Sequence, residues 1–191
     1  MLKNFYLFRH GETEMNAVKV FQGSLLNGPL TERGRQQAEE LREAMAGISV
    51  DAIYSSPMRR AYETAQILRQ GRDVEILIEY DLIEGDHGEA QGLSKTQIMA
   101  KYPEIYEKWC DMDEKNMGCR FIKGESKREI QSRALNVLRK IAASPYRNIA
   151  VATHSMVLRC LLIYFGMKMT KVAHGKVFHL CYDGETFSLM E

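Results

Sequence analysis

The sequence predicts an α/β protein, a three-layer α/β/α sandwich around a largely parallel central sheet. Three observations carry that expectation. Short apolar runs of strand length alternate with longer segments whose apolar residues recur every three or four positions. The chain has 191 residues, 45% hydrophobic and 27% charged, a composition that closes a core without a disulfide or metal staple. That length suits one domain, residues 1–191, with room for an insertion.

The elements follow in order. Asn4–Phe8, an aromatic and aliphatic run, reads as a buried strand. A polar, glycine-containing loop leads to Gly28-Pro29-Leu30, and Thr31 is suited to cap a helix whose stripe is Ala38, Leu41, Met45 and Ile48. Asp51–Tyr54 is a second strand. Ser56 and Pro57 then read as the N-cap and first residue of a helix that buries Met58, Ala61, Tyr62, Ala65 and Leu68. Val74–Ile78 is a third strand. The stretch 94–123, helical in pieces and broken at Pro103, reads as an insertion over the sheet ends. A helix starts at Ser126 with Ile130, Ala134, Val137, Leu138 and Ile141 on one face, and Asn148–Thr153 has the most buried strand composition. The next helix, Ser155–Phe165, stops at Gly166. Val177–Cys181 is a last strand, turned by Asp183-Gly184.

Charge and cysteine usage exclude several classes. Lys and Arg number 26 and Asp and Glu 25, for a net charge of +1, without the basic excess of a general nucleic-acid binder. No apolar run reaches the roughly 18 residues of a membrane span, and the start lacks a signal-peptide core. The four cysteines form no C-x-x-C pair and no zinc-like spacing. The expectation is a cytoplasmic protein with no membrane or nucleic-acid partner.

Chemistry concentrates where strands end, which is where open α/β sheets bind ligands. The first strand runs into Arg9-His10-Gly11-Glu12-Thr13, and Asn148–Thr153 runs into His154-Ser155 just before a helix. Two of the five histidines thus stand at equivalent exits from apolar strands. Arg59-Arg60 fall in the first turn of the helix after the second strand. Cations at strand ends, combined with free helix N-termini, make an anion site, most naturally for a phosphate.

The motifs carry a resemblance. Arg9-His10-Gly11-Glu12-Thr13 with Asn16 is similar to the R-H-G-x-T-x-x-N signature of the histidine phosphatase superfamily, the phosphoglycerate mutase-like proteins. Phe21-Gln22-Gly23, Pro29–Gly34 with Gln37-Ala38, and Ser55–Ala61 with Thr64-Ala65 resemble its next blocks. Leu82-Ile83-Glu84 with Gly88 and Gly92-Leu93, Gly124-Glu125-Ser126 and Val151–His154 complete the set in family order.

The resemblance implies a phosphoglycerate mutase-like fold and phosphatase chemistry on a small phosphorylated metabolite, with no cofactor and no metal. His10 would be the nucleophile, forming a phosphohistidine; an imidazole is substantially neutral and nucleophilic near pH 7. Arg9, Arg60 and His154 would clamp the phosphoryl oxygens. Asn16, Gln22, Gly23 and the Ser155 N–H would support them. Glu84 would protonate the leaving alkoxide and then activate water, a role that calls for partial desolvation.

Alternatives stand beside these roles. Helical spacing alone does not separate Arg60 from Arg59, which reads as a solvated helix-face charge, and only the resemblance lifts Glu84 above Glu79, Asp81, Asp86 and Glu89. His87 sits beside the acid segment, within reach of a substrate, though it reads more readily as a loop histidine without a role; His174 and His179 read as structural. Asp111-x-Asp113 lacks the preceding strand of an aspartate-nucleophile phosphatase. No cysteine is followed six positions on by arginine, and no H-E-x-x-H or P-loop is present. Ala90 stands where many phosphatases of the family carry tryptophan, which predicts an opened pocket wall. Asn27 stands near a usual aspartate, and Ser155-Met156 replace glycines. Gln91–Lys95 resembles the Q-G-L-N-K of true mutases, the alternative enzyme, but Gly124 follows Trp109 by only 15 residues, too few for the mutases' pocket-closing insertion. A phosphate-sensing binding protein is the non-enzymatic alternative.

Overall fold

The computed structural model describes residues 2–190. In chain order the elements are β1 (Lys3–Arg9), α1 (Glu14–Ala17), α2 (Glu32–Ala44), β2 (Ala52–Ser55), α3 (Arg59–Arg69), β3 (Ile76–Ile78), α4 (Lys95–Lys101), α5 (Pro103–Cys110), α6 (Lys127–Ala142), β4 (Asn148–Thr153), α7 (Ser155–Tyr164), β5 (Val177–Tyr182) and β6 (Phe187–Leu189). The strands form one sheet in the order β3-β2-β4-β1-β5-β6. The first four run parallel, and β5 and β6 add an antiparallel edge.

Strand alternation divides the apolar residues between two cores. Phe5 and Leu7 of β1, Ala52 and Tyr54 of β2, and Ile149 and Val151 of β4 face one side, packed under α6 and α7. Phe8, Ile53, Ala150 and Ala152 face the other, against Leu41 and Met45 and against Ala61, Ala65 and Leu68 of α3. The period of two in the strands thus meets helical stripes on both faces, which is the three-layer sandwich expected. Truncating a buried residue such as Leu68 to alanine would cost about 2–5 kcal/mol.

The register of β1 on β4 fixes the site. Arg9 is the partner of Thr153, so the residues that follow, His10 and His154, leave the sheet side by side. His10 N donates to Thr153 O at 3.1 Å and prolongs the pairing by one bond.

Local chemistry explains most helix boundaries. Thr31 Oγ1 accepts from Gly34 N at the start of α2, and Ser126 forms a capping box with Glu129 at the start of α6. Pro103 ends α4 and opens α5 as its first residue. The helix expected from Ser56-Pro57 begins instead at Arg59, because Ser56 Oγ accepts from Met58 N in a turn. Its first N–H is capped from afar: Arg59 N donates to Oδ1 of Asn27 at 2.6 Å. Tyr62 of the expected stripe is 36% exposed, and α3 buries Arg60 and Thr64 instead. These two polar residues face the loop after β1, where Gly11 N donates to Thr64 Oγ1.

The 94–123 stretch is anchored by buried Ile98, Trp109, Met112, Met117 and Phe121. Among the described residues, no helix is long and apolar enough to cross a membrane.

Candidate active site

At the carboxyl ends of β1 and β4 lies a cavity of about 600 Å³. Arg9, His10, Asn16, Gln22, Gly23, Arg60, Glu84 and Ser155 all line it. Of the expected site residues only His154 does not: it is fully buried beside His10, with ring centroids 5.1 Å apart.

Close backbone packing shapes the loop that carries His10. A Cβ on Gly11 would stand 2.2 Å from Gly34 O, and one on Gly34 would stand 2.1 Å from Glu12 O. Only glycine at both positions lets the start of α2 seat against this loop.

Hydrogen bonds define the tautomer of His10. Nδ1 is 2.6 Å from Gly11 O, and a carbonyl oxygen only accepts, so Nδ1 carries the proton. Nε2 is left with its lone pair and accepts from Arg60 Nε at 3.2 Å. Burial, with Arg60 and Arg9 adding repulsion, holds the ring's pKa well below the ordinary imidazole range, so it is neutral near pH 7.

The two arginines are fixed by carbonyl oxygens. Arg60 donates to Leu26 O at 2.8 Å and Gly23 O at 2.9 Å, and Arg9 Nη1 donates to Val172 O at 2.7 Å. Arg9 Nε is buried without a protein partner. Burial lowers both pKa values to about 10, which leaves both side chains charged at neutral pH. A guanidinium has five N–H donors, so each retains free ones.

Glu84 is 7% exposed, and its carboxylate accepts from Gly85 N at 2.9 Å and Met156 N at 3.3 Å. Its loop is braced from behind. Glu125 accepts from Asp86 N, and Arg133 bonds Glu125 while donating to the Ile83 and Asp81 carbonyls. That brace gives the Gly124-Glu125-Ser126 block a physical role.

The remaining expected residues are oriented in different ways. Asn16 Oδ1 accepts from Thr13 N and Thr13 Oγ1, which leaves the amide nitrogen as its donor. Gln22 Oε1 is buried and unpartnered. Gly23 adopts φ +53, and a Cβ there would meet Gln91 Oε1 at 2.1 Å. His154 Nε2 shares a 2.8 Å hydrogen bond with Ser56 Oγ, while Nδ1 has no partner. Burial, then Arg60 and His10, pushes its pKa well below the usual value.

Two histidines outside the expected site set line the cavity, His87, whose place beside the acid segment is plain in the sequence, and His174. His87 is 6% exposed with both ring nitrogens unpartnered, set against Trp109 and Phe21 at 5.2 and 5.6 Å. His174 Nδ1 donates to His10 O at 2.9 Å, Gly175 N donates to Arg9 O, and with Val172 O the segment 172–175 straps the strand exit. Burial lowers the His174 pKa to about 4. Nothing local in the sequence announces this contact. His179, in contrast, bonds Asn4 and stacks on Tyr6, as a structural residue does.

Other expectations sort cleanly. Arg59 is exposed and paired with Glu63 at 2.7 Å. Ala90 is fully buried and does not open the wall; the indole at the cavity belongs to Trp109. Among the described residues no group of three or more His, Cys, Asp or Glu is placed to hold a metal ion.

A parallel sheet whose strand ends present two buried arginines, a neutral histidine and a carboxylate to one cavity belongs to the class of phosphoric monoester hydrolases. The chain is a member of the histidine phosphatase superfamily, branch 1, whose profile matches residues 5–189. It is 33% identical over 156 residues to phosphoserine phosphatase 1 of Hydrogenobacter thermophilus, covering 81% of this chain and 72% of that one. It is also 33% identical over 161 residues to 2-carboxy-D-arabinitol-1-phosphatase of Triticum aestivum, covering 84% of this chain but 32% of that longer protein. A mycobacterial glucosyl-3-phosphoglycerate phosphatase shares the fold, with a TM-score of 0.86 at 24% identity over 98% of this chain and 97% of that one.

Proposed function

We propose that the protein hydrolyses a small phosphomonoester without a metal, through a phosphohistidine on His10 with Glu84 as general acid and base. The observation that carries this reading is the His10 tautomer. Nδ1–H is tied to Gly11 O, and Nε2 offers its lone pair in a cavity that also holds Glu84 and both arginines.

The reaction runs in two steps. Nε2 attacks phosphorus, the P–O ester bond breaks, and the leaving alkoxide takes a proton from Glu84. Glu84 then accepts a proton from water as the hydroxide displaces the phosphoryl group from Nε2, returning His10 and releasing inorganic phosphate. Arg9 and Arg60 supply fixed positive charge where negative charge accumulates on the phosphoryl oxygens. His154, enclosed behind His10, contributes through its unpartnered Nδ1 and its Ser56 contact. The names of the relatives, a phosphoserine phosphatase and a 2-carboxy-D-arabinitol-1-phosphatase, support a small metabolite as substrate. The cavity volume falls in the range that takes such a molecule.

The test is turnover of a phosphomonoester panel with and without chelator, combined with acid-quench trapping. Phosphate release that survives chelator, with an acid-labile phosphoenzyme lost in His10→Ala, is the expected result. A phosphoenzyme that persists in His10→Ala would overturn the assignment.

A further inference from the structure

Only the deep end of the cavity is needed for a phosphoryl group. Arg9, His10, Arg60 and Glu84, each at most 9% exposed, occupy that end. Six basic side chains line the whole cavity (Arg9, Lys19, Arg60, Lys95, Arg159 and Lys171) against two acidic ones, Glu12 and Glu84. This excess sits in a chain whose total charge is +1. Phe21, Tyr106, Trp109 and Met156 line the same cavity as the buried arginines and the exposed lysines.

The lysines are not neutralised by the protein. Neither Lys19, Lys95 nor Lys171 enters an ion pair among the described residues, while Glu12 bonds Thr31 and Glu84 is held by backbone N–H groups. Their backbones are fixed. Lys95 N donates to Lys19 O at 3.1 Å beside the Val20–Ser94 bridge, and Lys171 precedes Val172, whose carbonyl holds Arg9. Lys19 is kept at φ +57, a conformation that costs a lysine energy and is tolerated most at functional sites.

We infer that the leaving group of the substrate carries a second anion, a carboxylate or a second phosphate, received at the cavity mouth by Lys19, Lys95 and Lys171. The phosphoryl group enters first, between the arginines, and a short spacer sets the second anion among the lysines. The inference rests on the phosphatase reading above, since that reading decides which end takes the reacting phosphate.

Two matched substrate pairs test it. 3-Phosphoglycerate differs from glycerol 3-phosphate by a carboxylate in place of a hydroxymethyl group, and fructose 1,6-bisphosphate differs from fructose 6-phosphate by one phosphate. At low ionic strength kcat/KM should favour the dianchored member of at least one pair by tenfold or more, and the pair that responds names the anion. The triple variant Lys19→Gln, Lys95→Gln, Lys171→Gln should collapse that ratio toward one, and the corresponding triple Lys→Arg variant should retain it. Ratios near one in both pairs, or a ratio that survives the glutamines, would overturn the inference. Calorimetric Kd ratios for the same pairs on His10→Ala keep the two readings apart. If the wild type hydrolyses no ester, the phosphatase reading fails, yet the binding ratios still decide whether the mouth selects a second anion.

Discussion

Arg60 Nε donates to His10 Nε2 at 3.2 Å, so one guanidinium contacts the very nitrogen that carries the lone pair. The same side chain grips the Leu26 and Gly23 carbonyls, which tie the loop bearing Gln22 to α3. Arg60 therefore aligns the imidazole and shapes the cavity floor while keeping N–H groups free for an oxyanion. A single ammonium has neither the planar fork nor the reach to do all three. Arg60→Lys should lower kcat by about 10²–10³-fold. Steady-state kinetics beside circular dichroism would check it, and a kcat within threefold of wild type would remove Arg60 from the phosphoryl clamp.

In the proposed mechanism Glu84 acts on the leaving oxygen, so its removal should hurt most where that oxygen is a strong base. Glu84→Gln should slow an alkyl phosphate by about 10²–10⁴-fold and p-nitrophenyl phosphate far less. Equal slowing of both would take the proton-transfer role away from Glu84. Glu125→Ala, which releases the Asp86 N–H and Arg133, should show the same selectivity more weakly, because it displaces the loop rather than the acid.

The Gly11–Gly34 contact leaves no room for a methyl group. Gly34→Ala should destabilise the fold by about 1–3 kcal/mol, because backbone atoms on both sides must move. It should also depress kcat, since the displaced strand exit carries His10. Urea unfolding and turnover measured on one preparation test both, and unchanged values in each would show that the loop yields freely.

Buried neutral histidines set an acid limit on stability. His10, His87, His154 and His174 all have pKa values lowered by burial, His174 to about 4. Above about pH 6.5 the folded and unfolded states both hold these rings neutral and nothing is gained or lost. As pH falls below that value the unfolded chain takes up protons that the folded chain refuses, so stability drops. The urea midpoint should hold near pH 7 and fall from about pH 6.5 to pH 5, and His174→Asn should flatten part of the decline between about 6.5 and 4. A midpoint independent of pH across that window would contradict the burial of these rings as neutral groups.

The parts of the molecule that were legible in the sequence are those written locally. Thr31 and Ser126 announced their helices because a cap acts over three residues, and the unbroken apolar run within Asn148–Thr153 announced a strand buried on both faces. Arg9 and His10 were legible as a cation and a histidine at a strand end, while Arg60 and Glu84 were singled out only through the family resemblance; the fold placed all four on one cavity. What stayed hidden was carried by contacts between distant segments. Asn27 caps a helix that Ser56 was expected to cap, and His174 reaches His10 across 164 positions. His154 illustrates a finer limit: its place in the chain was plain, but not that register and packing would enclose it completely.

The strap at 172–175 has a consequence for how the enzyme comes into being. Arg9 and His10 are synthesised more than 160 residues before the strap, yet three of the bonds that set their geometry come from Val172, His174 and Gly175. A nascent chain can form α2 and α3 long before that strap exists, while β1 still lacks both of its partners, β4 and β5. Its histidine would then be mobile and its arginine unanchored, and loose phosphate esters in the cell would meet no competent centre. Activity would switch on in one late step, when the last part of the sheet closes over the first.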